Sequence, residues 1–305
     1  MGPVVTVLRL DGLEKAFNGV KAVDGVSFSV AAGEMVALIG PNGAGKTTTF
    51  NLVSGQLAPD RGHVLLNGRD VTGLEPRALW RLGMGRTFQI TATFNSMTVA
   101  DNVRVALLSH YGEAGLFATA AGRYADEIES LLSKVGIEGM AQSICGLLAY
   151  GDLKRVELAM ALVNEPRLLL VDEPTAGMAP RERGQLMALV SKIARERGTA
   201  VLFTEHDMDV VFGHAARIFV MHRGKIIAAG RPEDVRNNAA VREVYLGADT
   251  VAGSGREIRS CCCWRWMGWM AGMAGHRLCS VYRSTSRPAR RSCCSAVTAQ
   301  ASPRR

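Results

Sequence analysis

Three stretches of this chain, residues 34–39, 167–173 and 199–204, carry unbroken apolar runs of four or five residues. Such runs suit strands covered on both faces, and the second and third end on polar groups, Asp172-Glu173 and Glu205-His206. Between them, Leu186, Leu189, Val190 and Ile193 recur at helical spacing, so strand, helix and strand follow in the order of a parallel α/β core. Elsewhere the pattern changes. Residues 4–10 and 26–30 are β-branched and partly alternating, with the Gly-Val-Lys-Ala segment at 19–22 as a turn, which predicts an outer antiparallel layer. Residues 217–221 and 225–229, joined at Arg223-Gly224, predict a hairpin returning to that layer. Residues 62–68 and 85–89 read as further strands. Helical period is clearest at Ile128, Leu131, Leu132 and Val135, and again at Val156, Leu158, Ala159, Leu162 and Val163. Together these predict an α/β fold with a parallel core sheet, an antiparallel β layer and a helical insertion at about 97–161.

The loop after the first apolar run gives the core its chemistry. Gly40, Pro41, Asn42, Gly43, Ala44, Gly45, Lys46, Thr47 and Thr48 spell G-x-x-x-x-G-K-[ST]. Glycines let successive N–H groups turn toward a phosphate chain, Lys46 adds a positive charge, and the Thr47 hydroxyl is a ligand for Mg²⁺. A helix over residues 46–54, closed by Gly55, would aim its N-terminus at the same anion. Asp172 can hold Mg²⁺ through water, and Glu173 beside it can orient or deprotonate an attacking water. Without the phosphate loop, a solvated corner would be an open alternative for two adjacent carboxylates. With it, they read as the metal and water partners of phosphoryl transfer. His206 closes the next parallel strand on the same edge. Phe17, just before Asn18-Gly19, reads as an aromatic on a loop shortly before the phosphate loop, with a minor core residue as the alternative. Gln89 ends its strand on a polar side chain.

Composition separates a body from a tail. Of 36 basic and 28 acidic residues, ten and two respectively lie beyond residue 247, so the tail alone supplies the formal net charge of +8. Six of the seven cysteines lie there too, at 261–263, 279, 293 and 294, leaving Cys145 in the body. One cysteine in the body fits a reducing compartment and argues against a disulfide framework. No stretch approaches the ~20 uninterrupted apolar residues of a membrane-spanning helix, and the N-terminus lacks a basic region followed by an apolar one.

Taken in order, the motifs resemble those of the ATP-binding subunits of ATP-binding-cassette (ABC) transporters. They are Phe17, GPNGAGKTT, Gln89, LAYGD at 148–152, LLLVDEP ending at Pro174, and His206. GRTFQ, MTVADNV, LAYGDLKRVELA, DEPTAGMAP and VREVYLG most resemble the cytoplasmic ATPase of branched-chain amino-acid importers. The resemblance implies ATP and Mg²⁺ as ligands and Phe17 as an adenine-stacking aromatic. It implies Lys46, Gln89, Glu173 and His206 as catalytic residues, with Thr47, Gln89 and Asp172 as metal partners. Ala149, Tyr150, Gly151 and Asp152 stand in the signature that completes the site of a second cassette, identical or not. Integral-membrane permease subunits, and indirectly an extracytoplasmic substrate-binding protein, are the other implied partners, with no nucleic acid. Residues 1–247 would form the ATP-binding domain, cytoplasmic and peripheral on the inner face of the membrane.

Departures from the pattern bear on rate. Ala149 lacks the serine hydroxyl usual in the signature, Tyr150 replaces a glycine, and Asp152 replaces a glutamine. Ala179 stands where an aspartate is common. Residues 248–305 break every period. Their cysteine runs lack paired metal-ligand spacing, but codons consistent with residues 293–305, read two bases later, can spell LLGRNGAGKSTT. The same shift over residues 261–275 gives LLLALDGLDGWYG. The expectation is a frameshift near residue 250 into an adjacent gene for a second, similar ATPase, leaving a disordered tail without function.

Overall fold

The computed structural model describes residues 5–87, 93–113 and 122–246. Gln89 and the tail from 247 onward, and with them those two expectations, lie outside the described residues.

The chain opens on a long hairpin, β1 (Thr6–Phe17) and β2 (Val20–Ala31), turned by Asn18-Gly19 with φ of 49° and 84°. Positive φ at both central residues is what a two-residue hairpin turn needs, and Asn-Gly supplies it. The turn therefore sits two residues earlier than the 19–22 segment predicts. Val20 to Ala22 belong to β2, and Phe17 is the last residue of β1, not part of a loop. Register shifts between Leu10 and Leu13 break the alternation that would have marked one continuous strand.

β3 (Met35–Ile39) leads through the phosphate loop into α1 (Lys46–Val53). β4 (Arg61–Leu66) and β5 (Arg69–Asp70) complete a four-stranded antiparallel sheet in the order β2-β1-β4-β5. After α2 (Pro76–Arg81) and β6 (Met84–Thr87) come three helices, α3 (Val99–Tyr111), α4 (Ala125–Val135) and α5 (Tyr150–Ala161). β7 (Leu168–Asp172), α6 (Pro180–Arg197), β8 (Ala200–Thr204) and α7 (Met208–His214) follow. β9 (Arg217–His222), β10 (Lys225–Gly230), α8 (Pro232–Asn237) and α9 (Ala239–Leu246) close the described chain.

The six-stranded sheet runs β10-β9-β3-β8-β7-β6, parallel except for β10. Its central strands are buried on both faces. Ala37, Val171, Phe203 and Val220 point into a core shared with the helices, while Leu38, Leu170, Leu202 and Phe219 point into a second core beneath the antiparallel sheet. The 217–230 hairpin belongs to this sheet, correcting its expected return to the antiparallel layer. Ile218 to Met221 are buried consecutively, and β9 pairs parallel with β3. An unbroken apolar run goes to the doubly covered sheet.

Candidate nucleotide site

The phosphate loop, Asp172, Glu173 and His206 lie at the C-terminal edge of the six-stranded sheet, where parallel strands hand over to loops. Gly40 has φ of 155° and Gly45 of 105°, and a Cβ would stand 2.2 Å from the Met221 carbonyl oxygen at the first and 2.3 Å from that of Ala22 at the second. The loop is thus pressed onto β9 and β2 at two points where no side chain fits. Between them Gly43, at φ 77°, has open space where a Cβ would stand. Lys46 is buried, and its ammonium donates to the carbonyls of Gly40 at 2.7 Å and Pro41 at 3.2 Å. Burial pushes its pKa down, against the charges of Glu173 and Asp172. The Thr47 side chain is exposed at the start of α1.

Across the edge, β7 and β8 are stitched together past their last ladder pair. The Thr204 hydroxyl donates to Asp172 Oδ1 at 2.7 Å, and the Glu173 N–H meets the Thr204 carbonyl and hydroxyl oxygens at 3.2 and 3.1 Å. Glu173 itself has φ of 45°. A left-handed conformation at a side-chain-bearing residue costs about 1–3 kcal/mol and persists only where the surroundings impose it. The turn throws the Glu173 carboxylate toward His206, whose Nε2 lies 2.7 Å from Glu173 Oε1. His206 is half exposed and Glu173 largely covered. The expected carboxylate and imidazole are therefore partners.

Two contributors were not legible in the motifs. Arg86 of β6, half-buried and with its pKa lowered by desolvation, donates to Asn51 Oδ1 at 3.0 Å and to the Ser54 hydroxyl. It also faces Asp172 Oδ2 at 3.6 Å, tying the end of α1 to β7. Glu205 accepts from the Thr175 N–H at 2.8 Å. Both are polar residues inside or beside apolar strands, and that was the available signal.

Phe17 stands 44 % exposed with Lys15 Nζ 5.8 Å from its ring centre, and so is not a core residue. The signature segment lies on another element. Ala149 caps α5 without a side-chain hydrogen bond, Tyr150 is 39 % exposed with Lys154 over its ring, and Gly151 and Asp152 are half-buried in the first turn. Ala179 caps α6, with the Glu182 carboxylate reaching back to its N–H at 3.4 Å.

A phosphate loop opening a helix, with two carboxylates and a histidine on neighbouring strand ends, defines a P-loop nucleotide-binding cassette. Residues 23–176 match the ABC transporter family, and residues 225–251 match the family described as branched-chain amino acid ATP-binding cassette transporter. The chain belongs to the ABC transporter family, as one of its ATP-binding proteins. It is 39 % identical over 250 residues to BraF, a high-affinity branched-chain amino acid transport ATP-binding protein of Pseudomonas aeruginosa, covering 79 % of this chain and 98 % of that protein. LivG of Escherichia coli K12, described in the same words, is 38 % identical over 249 residues, with the same coverage. Among solved structures, a nucleotide-free ATP-binding cassette superposes with a TM-score of 0.70 at 31 % identity, over 79 % of this chain and 98 % of that one. The ADP conformation of an ABC transporter cassette does so with 0.70 at 32 %, over 79 % and 99 %.

Proposed function

We propose that this chain is the ATP-hydrolysing subunit of a membrane importer for branched-chain or other hydrophobic amino acids. The pairing of Glu173 with His206 at 2.7 Å, on the sheet edge that carries the phosphate loop, is the observation on which the chemistry rests. In this reading the loop N–H groups from Gly40 to Thr48 and the N-terminus of α1 hold the phosphates, and Lys46 exchanges two loop carbonyls for phosphate oxygens. Thr47 and Asp172, with Gln89, would hold Mg²⁺. The donor set fits, because hydroxyl, carboxylate and amide oxygens are what that ion prefers. Bound there, Mg²⁺ neutralises phosphate charge. Glu173 orients the attacking water and takes its proton, while His206 fixes the Glu173 carboxylate and faces the γ-phosphate. Phe17 stacks on the adenine.

The signature segment, Ala149 to Asp152, lies on another element from the phosphate loop and serves the site of a second cassette. That cassette, the same chain or a similar one, offers its own signature in return. Permease subunits supply the membrane path, and an extracytoplasmic binding protein delivers the cargo to them. Among the described residues no helix is long and apolar enough to cross a membrane, in keeping with a subunit docked on the inner face. The amino-acid reading draws on the relatives named above and on the match over residues 225–251.

A second reading, export, is favoured by one relative. The lipopolysaccharide export protein LptB of Acidithiobacillus ferridurans is 36 % identical over 241 residues, 79 % of this chain and 97 % of that protein. Reconstitution with the adjoining permease and cassette in proteoliposomes separates the two. ATP-dependent accumulation of leucine, isoleucine or valine, dependent on the binding protein, is expected. Hydrolysis that no amino acid stimulates would overturn the import reading. For residues 248–305 the frameshift is the proposal, and resequencing decides it. An unbroken frame whose shifted codons do not spell a phosphate loop would refute it.

A further inference from the structure

Glu205 is 4 % exposed and, among the described residues, forms no ion pair. A buried carboxylate without a cation is costly, and here burial, and after it the nearby Glu173 charge, push its pKa up while the Thr175 hydroxyl and the N–H groups of Thr175 and His206 oppose the shift. Its two oxygens divide their work. Oε1 accepts the Thr175 N–H at 2.8 Å and Oε2 the His206 N–H at 3.2 Å. Thr175 is itself 2 % exposed, so its N–H would otherwise be buried without this partner. It also lies two residues after Glu173, whose φ of 45° the surroundings must hold in place. One carboxylate therefore spans the corner that bears Glu173 and the corner that bears His206.

We propose that Glu205 is a positioning residue for ATP hydrolysis, which fixes the separation of Glu173 and His206 by accepting one backbone N–H from each of their strand ends. This rests on the reading that those two side chains act at the γ-phosphate. The role demands a carboxylate. A glutamine of the same shape has one oxygen to accept with, and would point an N–H₂ at the remaining backbone N–H.

The test is steady-state ATPase of the assembled transporter with E205Q, E205D, H206A, E173Q and the E205Q/H206A pair. E205Q is expected to lower kcat about tenfold with KM for ATP unchanged, since the phosphate loop is untouched. E205D, which keeps both acceptors one methylene short, should lower kcat less and supports the proposal if E205Q cannot be purified folded. H206A should cost much less in the E205Q background than alone, a coupling that a merely stabilising residue would not show. Full kcat in both E205Q and E205D, or additive losses in the pair, would overturn the proposal. The underlying reading fails separately, if E173Q keeps its rate.

Discussion

The two edges proposed to serve a nucleotide, the strand ends with the phosphate loop and the start of α5, are built differently. At the sheet edge, Lys46 after the phosphate loop and Asp172 and Glu205 at the strand ends are each 7 % exposed or less, and every one is held by a named partner. At the start of α5, Ala149 and Tyr150 are exposed, and the cap makes no side-chain hydrogen bond. Strand ends inherit their precision from the core, because the ladder that buries Val171 and Phe203 also sets Asp172 opposite Thr204. A helix N-terminus offers backbone N–H groups whatever its side chains are. If both edges act as proposed, the first should depend on residue identity, while the second could carry Ala, Tyr and Asp where the resemblance leads one to expect Ser, Gly and Gln.

Glu173→Gln should have the largest effect. Loss of a general base typically costs about 10²–10⁴-fold, and the amide keeps the shape and leaves the phosphate loop alone. The expected result is a collapse of kcat with ATP binding retained, measured by single-turnover hydrolysis beside equilibrium nucleotide binding. An unchanged rate would remove Glu173 from the mechanism and, with it, the contrast between the two edges.

How far the sequence carried this depended on the range of each interaction. The strands buried on both faces announced themselves as apolar runs, and the phosphate loop as a contiguous spacing. The hairpin signal at 217–230 points to the antiparallel layer, but the unbroken buried run Ile218 to Met221 takes the hairpin to the core sheet. The irregular register near Gly12 hides the length of β1, so the sequence pattern reads Phe17 as a loop residue although it ends the strand. Arg86 to Asn51 and Glu205 to Thr175 join residues 35 and 30 positions apart, and no local period encodes such a pairing. The left-handed turn at Glu173 was equally silent, since Asp-Glu-Pro states the residue types but not the φ that aims the carboxylate at His206.

Glycines on the two edges sharpen the comparison. At Gly45 a Cβ would meet the Ala22 carbonyl oxygen at 2.3 Å, at φ of 105°. At Gly151 it would meet the Cε end of Met178 at 3.2 Å, a flexible tip that can give way. Gly45→Ala should therefore cost about 2–5 kcal/mol in strain and displaced backbone, lowering Tm by roughly 5–15 °C. Gly151→Ala should stay within about 1 kcal/mol, because a small loss in packing is offset by the better helix propensity of alanine. Thermal unfolding of the two variants checks this. Equal losses would mean that the signature edge is as rigidly packed as the loop edge.

Ala149→Ser is the smallest change and bears most directly on the tolerance of the second edge. A preorganised donor to a developing oxyanion is worth about 10²–10³ in rate, but here the Gly151 N–H and the N-terminus of α5 already hold part of that charge. Asp152, in the first turn, works against the anion. The added hydroxyl should therefore raise turnover by about tenfold, well below the full value of a donor, and only at the site this signature completes. Disabling the other site with a Glu173→Gln substitution in the appropriate subunit isolates it. A rise of that size would mean that Ala149 is a brake set by one missing oxygen. No rise would mean that the backbone N–H groups of α5 do all the work at this edge, which would make the two edges unlike in kind and not merely in degree.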